Sequence, residues 1–224
     1  MPDLVIAPEE ASDIGPRGPL PESGSGAEVV TRKRPKPGER RVQILEALAT
    51  MLEKPGAERV TTSALAARLD VSEAALYRHF ASKAQMFEGL IEFIEQSVFT
   101  LVNQIAEREA GSSQRTRKLV VMILQFAEKN PGMTRVMVGD ALVFENERLQ
   151  ERMNQFFDKV EAALKQSLRE AGVASDSATP TVDAQVRASI LVAFMAGRLQ
   201  RFARSGFKRL PSEHLEASLV RLLG

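Results

Sequence analysis

From residue 39 to the end of the chain, apolar positions recur with a helical period, not a strand period. Ile44, Leu45, Leu48, Met51 and Leu52 fall on one face, and "EKPG" closes the run, predicting a first helix. "TTSALAARL" predicts a short second helix capped by Thr61 or Thr62, and Ser72 caps a third over about 73–80. Ser82, with Gln85 three residues later, has capping-box spacing and opens a long fourth helix to about Ala110. A fifth is expected from about Gln114 to Lys129, stopped by "NPG", and a sixth over 132–140. A seventh over 145–171 should end at Gly172, an eighth should cover 181–205, and Ser212 should cap a ninth. No period-2 run of useful length and no internal repeat occurs. The expected fold is all-α, with about nine helices.

Between the second and fourth helices there is barely room for two turns. On a wheel, Leu76 and Phe80 share one side and must anchor the segment inward. Ala74 and Arg78 point the other way, flanked by Ala75 and Tyr77. Short helix, tight turn, short helix, then a long helix is the order of a helix-turn-helix module. The small outward side suits a nucleic-acid groove: Ala74 and Ala75 permit close approach, and Arg78 offers a forked donor to a phosphate or a guanine edge. Tyr77 and His79 can reach flanking phosphates. The Thr61 and Thr62 hydroxyls and Lys83 add donors at helix starts, where phosphate oxygens are favoured. Asp70 would repel phosphate and is expected to point away. The same pattern also fits a plain three-helix packing unit with polar residues outside.

Charge sharpens the choice. Residues 1–30 hold six acidic side chains against Arg17 alone, while residues 31–90 hold eleven Lys and Arg against seven Asp and Glu. Arg32, Lys33, Arg34, Lys36, Arg40 and Arg41 form a basic block suited to a polyanion. Residues 1–38, rich in Pro, Gly, Ser and acid, are expected to be a disordered tail with a basic end. Three segments are expected: the tail 1–38, a helix-turn-helix module 39–83, and a larger helical domain 84–224. The longest apolar runs are about nine residues against the roughly 20 of a spanning helix, and the N-terminus lacks a signal-peptide pattern. A soluble, cytoplasmic protein without membrane attachment is expected.

Catalytic chemistry finds little support. The chain has no cysteine and two distant histidines, His79 and His214, with no Gly-rich phosphate loop and no metal-ligand spacing. No catalytic residue, cofactor or metal is expected.

The larger domain leaves faces to cover. Phe87, Ile91, Ile94, Val98, Leu101, Val102 and Ile105 form the core stripe of the fourth helix. Phe93 falls about 120° away, with Met86, Leu90 and Ser97 towards its side, so a second, partly apolar strip is expected. Such a strip can bind a partner or pack beneath a neighbouring helix. The eighth and ninth helices carry apolar faces that dimerisation would cover, and Gly197 would admit a close partner backbone.

The stretch "TTSALAARLDVSEAALYRHFASKAQMFEGLIEFIE" resembles the N-terminal module of TetR-family regulators. "EKNPGMTRVMVGDALVFENERLQERMNQFFDKVEAALKQ" extends the resemblance to the nucleoid occlusion branch of that family, over roughly residues 39–211. The resemblance implies a homodimer on palindromic double-stranded DNA, with one or several dimers per site, that binds the division protein FtsZ and antagonises its polymers over the nucleoid. It makes residues 39–83 the DNA-binding module and 84–224 the dimerisation and partner-binding domain. It places Thr61, Thr62, Ser72, Ala74, Tyr77, Arg78, His79 and Lys83 on the DNA side. It also implies a groove between the fourth and fifth helices for the FtsZ C-terminal tail, with Phe93, Lys129 and Asn130 at matching positions. Lys129 stands where the branch has Arg. Leu101 replaces a basic residue, and Met122 and Gln125 also depart from the pattern. The competing reading is a ligand-responsive transcriptional repressor of the same family.

Overall fold

A computed structural model describes residues 38–54 and 60–223, and its described part belongs to one compact unit. The tail expected over residues 1–38, with most of the basic block, lies outside the described residues except for Gly38. Every regular element among the described residues is helical, in the order α1 (Glu39–Leu52), α2 (Thr62–Arg68), α3 (Glu73–Tyr77), α4 (Lys83–Arg108), α5 (Ser112–Lys129), α6 (Pro131–Met137), a 3-10 turn (Asp140–Leu142), α7 (Glu147–Ala174), α8 (Pro180–Arg204) and α9 (Leu215–Leu223).

The first three helices enclose a small core. Ile44, Leu48 and Leu52 from α1 are buried with Leu65 of α2, Leu76 of α3 and Phe80 just beyond it. Between α2 and α3 the chain turns tightly: the Val71 N–H donates to the Ala66 carbonyl at 3.1 Å while Asp70 adopts φ 54°. This is a Schellman-type stop with aspartate in the left-handed position, which Asp tolerates better than most residues. Asp70 is exposed there. The third helix is shorter than expected, because its regular turn ends at Tyr77 and Arg78 already serves as its C-cap.

The long helices carry the larger core. Phe87, Ile91, Ile94 and Val98 of α4 are buried with Val120, Ile123 and Leu124 of α5, Phe156 and Leu164 of α7, and Leu191 and Met195 of α8. A five-residue link makes α7 and α8 an antiparallel hairpin, bridged by Gln185 donating to Glu161 at 2.7 Å. Helix α6 packs on both α1 and α8, joining the first three helices to the larger bundle. The approach to α1 is close. A Cβ on Gly132 would sit 1.9 Å from the Ala49 carbonyl oxygen, so only glycine fits.

One predicted capping box and two predicted helix boundaries differ from expectation. Ser82 accepts from the Gln85 N–H at 3.2 Å, but the Gln85 amide oxygen reaches Ala81 N–H at 2.8 Å, one residue short of a true capping box. Gly172 does not end α7. The helix runs to Ala174 and stops where Asp176 takes φ 58°, while Gly172 lies against Pro180. Ser212 does not cap α9, because its hydroxyl donates to Glu128 of α5 at 2.6 Å. Among the described residues no helix is long and apolar enough to cross a membrane.

Candidate nucleic-acid interface and partner groove

The two-turn segment is one-sided. Leu76 and Phe80 are each 1% exposed, whereas Ala74, Tyr77 and Arg78 are exposed and Ala75 is half-buried. None of the protein's described atoms fills the side carrying Ala74 and Arg78. Caps hold both ends of the surrounding turns. The Thr61 hydroxyl accepts from Ala64 N–H and that of Ser72 from Ala75 N–H, each at 3.2 Å. Both hydroxyls thus fix helix starts while remaining on exposed residues.

Two other predicted donors already have partners. The Thr62 hydroxyl donates to the Glu73 carboxylate at 2.7 Å, tying the start of α2 to the first residue of α3. Lys83 pairs with Glu145, from the loop before α7, and its ammonium lies 5.7 Å from the centre of the Phe87 ring. To reach a phosphate, Lys83 must exchange one anion for another. The half-buried His79 contributes its backbone as well: its carbonyl accepts from the Arg41 guanidinium at 2.5 Å. That guanidinium also stacks 4.1 Å from the centre of Phe80. Arg41, placed by its sequence in a polyanion-binding block, instead clamps the end of the two-turn segment onto α1.

Further along α4 a second exposed strip runs. Phe93 is 47% and Leu101 37% exposed, with the half-buried Ser97 between them at helical spacing. Leu101 thus leaves the core stripe to which its wheel position assigned it. Met86 and Leu90, assigned to the strip's edge, are fully buried instead, so the strip is narrower than expected. On α5 the half-buried Met122 and Phe126 precede the exposed Lys129. Asn130 is half-buried, its amide donating to the Phe126 carbonyl at 2.7 Å, which closes the C-terminus of α5. The opposite face of α4 is occupied: Glu95 holds Arg152 of α7 at 2.5 Å and Phe99 meets Phe156 edge-on.

A third uncovered surface lies on α8. Val182, Val186 and Ile190 are exposed on one side of that helix, and a Cβ on Gly197 would meet nothing within 4 Å. Among the described residues no group of three or more His, Cys, Asp or Glu is placed to hold a metal ion.

Comparison with known proteins agrees with this arrangement. Residues 44–90 match the family described as bacterial regulatory proteins, tetR family, and residues 112–223 match the tetracyclin repressor-like C-terminal domain of the SlmA-like type. The nucleoid occlusion factor SlmA of Aliivibrio fischeri strain MJ11 is 52% identical over 181 residues, covering 80% of this chain and 92% of that one. The protein of the same name from Idiomarina loihiensis is 49% identical over 178 residues, covering 80% and 90%. Among solved structures, the regulator PfmR from Thermus thermophilus superposes with a TM-score of 0.66 at 22% identity, covering 81% of this chain and 97% of that one. FadR from Bacillus subtilis, solved with stearoyl-CoA, gives 0.66 at 14% identity, covering 82% and 97%. These two show the fold alone.

Proposed function

Because the chain belongs to the TetR family and, within it, to the nucleoid occlusion factors named SlmA, we propose that it binds palindromic DNA as a homodimer and, while bound, holds FtsZ and antagonises its polymers. Division would then be blocked over the nucleoid, where the protein would reside. This family consists of DNA-binding regulators, not enzymes.

The observation that carries the proposal is the presence, on one chain, of two exposed faces with different chemistry. The side of α3 bearing Ala74 and Arg78 is small and polar, and the α4 strip bearing Phe93 and Leu101 is apolar. In the proposed complex Arg78 reads a base edge, and Ala74 lets the helix enter the major groove. Tyr77 and His79 meet flanking phosphates, as do Thr61, Thr62, Ser72 and Lys83 at helix starts. Residues 39–83 act as the reading module and 84–224 as the dimerisation and partner domain. A second copy covers the Val182, Val186 and Ile190 side of α8, setting two α3 segments about 34–36 Å apart for successive major grooves.

The α4–α5 face is proposed to take the FtsZ tail, with Phe93 as the apolar anchor and Lys129 and Asn130 at one end. Leu101 makes this groove more apolar than one with a basic residue at that position. A ligand-responsive repressor would require an apolar enclosure with a few polar groups. The 490 Å³ cleft between α5, α7 and α8 is instead lined by groups such as Ser113, Gln114, Arg117, Asp183 and Arg187. Fluorescence polarisation of a labelled FtsZ tail peptide, with and without duplex, tests the proposal. Saturable binding that Phe93→Ala abolishes is expected. No saturable binding in either condition would return the protein to the repressor reading.

A further inference from the structure

The end of α8 carries a concentration of positive charge that neither proposed surface uses. Arg198, Arg201, Arg204, Lys208 and Arg209 fall within twelve residues that contain no Asp or Glu. Among the described residues a single carboxylate answers them: Glu213 bonds Arg201 at 3.1 Å and lies 3.9 Å from Arg209, while Arg198 bonds the Glu213 carbonyl and Ser218. Arg204 and Lys208 are exposed and have no side-chain partner among the described residues. Like charges so close repel one another, and an exposed cluster of this kind is relieved by an external anion.

The turn that presents them is built rigidly. Gly206 and Phe207 both take left-handed backbone, at φ 62° and 64°. For phenylalanine this conformation is strained, and such strain persists only where the surroundings enforce it. Here they do. The Phe207 ring packs edge-on against the buried Phe202 at 5.1 Å, and the Phe207 N–H donates to the Phe202 carbonyl at 3.0 Å. The Ser205 hydroxyl oxygen then accepts from both the Lys208 and Arg209 N–H groups, at 3.1 and 2.9 Å. Beside the turn lies an open depression of about 510 Å³ lined by Gly197, Gln200, Arg201, Arg204, Ser205 and Arg209.

Position decides what the anion is. The segment after the turn is tied to the C-terminal end of α5 by Ser212 and Glu128. Helix α6 follows directly and packs on α1, so the cluster lies at the end of the bundle nearest the reading module. At 100° per residue, Val182, Val186, Ile190, Gly197, Arg201 and Arg204 fall within about 100° of one another on α8. One stripe therefore passes from apolar to small to basic as it nears the module. If the apolar part forms the two-fold seam, the basic ends of two copies face each other across the axis, between the two reading heads.

We propose that Arg204 and Lys208 from both protomers hold the DNA backbone at the centre of the site, between the two half-sites contacted by α3. The inference rests on the dimeric, DNA-binding reading. It assigns α8 a contact with phosphates in addition to its seam. The contact reads no base. It adds affinity and favours half-sites whose centre lies under the axis.

The test uses the full chain and a palindromic duplex selected from a random pool by that chain. Each phosphate contact contributes about 0.9 to the slope of log affinity against log salt, so the double variant Arg204→Gln/Lys208→Gln should lower the slope by about three to four per dimer. Sedimentation should show the variant still dimeric. A duplex with neutral methylphosphonates at its central linkages supplies the second arm. Wild-type protein should bind it more weakly than the native duplex, while the double variant should bind the two alike. Equal wild-type affinity for both duplexes would overturn the proposal, even if the variant failed to fold. An unchanged slope, with binding of the FtsZ tail peptide lost instead, would reassign the cluster to an acidic peptide and overturn it equally. Absence of any wild-type duplex binding would reject the DNA-binding reading itself, a separate failure.

Discussion

Both α3 and α4 turn an uncovered side to solvent, and the two sides are made in opposite ways. On α3 the exposed residues are small or polar, and the helix is held from behind by Leu76, Phe80 and the Arg41 clamp. On α4 the exposed residues are apolar, on a helix that its own buried stripe and α7 already hold firmly. A five-residue helix cannot hold its own shape, since helix nucleation is costly. Its recognition surface therefore depends on its anchors. The α4 strip needs none, because the helix beneath it would stand without Phe93.

That contrast predicts unequal damage. Phe80→Ala should do the most, costing about 3–5 kcal/mol of folding stability as a buried aromatic lost from a small core. Denaturant unfolding measures this, and a loss below about 1 kcal/mol would mean that the segment is not anchored there. Arg78→Ala should leave stability within about 0.5 kcal/mol and cost about 1–3 kcal/mol of discrimination between specific and mismatched duplex. Retained discrimination would remove Arg78 from the base edges. Phe93→Ala should leave both duplex affinity and folding nearly intact, because half its surface is already in water; only the FtsZ peptide should be lost. A large drop in melting temperature would turn the strip into core and erase the contrast.

Smaller effects refine the picture. Arg41→Lys keeps the charge but loses the fork and the stacking. It should weaken specific binding several-fold while leaving the salt slope unchanged, whereas a direct phosphate contact would keep its affinity. Lys83→Ala should lower the slope by about one per protomer. Glu145→Gln frees Lys83 and should strengthen duplex binding slightly, by about twofold to fivefold, for the roughly 0.5–1 kcal/mol of a partly exposed ion pair. An unchanged affinity would show that Lys83 stays away from DNA.

The sequence carried the helices well, because amphipathic period and caps are local. The wheel for 73–80 separated Leu76 and Phe80 from Ala74 and Arg78 as the structure does, and Thr61, Ser72 and Ser82 cap where expected. Contact between distant positions is not legible in the same way. Arg41 meets His79 across 38 residues, Lys83 meets Glu145 across 62, and Ser212 meets Glu128 across 84. No local pattern encodes such pairings. Met86 and Leu90 failed for a related reason: a wheel ranks positions around one helix, but neighbouring helices decide which of them are covered. The Gly206–Phe207 turn had a readable signal, a glycine between Ser205 and a basic pair after a long helix. Its rigidity came from a phenylalanine in a conformation that sequence alone does not assign.

The chain has no native cysteine, so Ala74→Cys supplies a single thiol on the outward side of α3. Its rate of modification by a maleimide, measured free, with the FtsZ tail peptide and with the selected palindromic duplex, tests the central claim most directly. Fast modification is predicted for the free protein and with peptide, and strong protection with duplex. Equal rates with and without duplex, or a thiol already unreactive in the free protein, would contradict it.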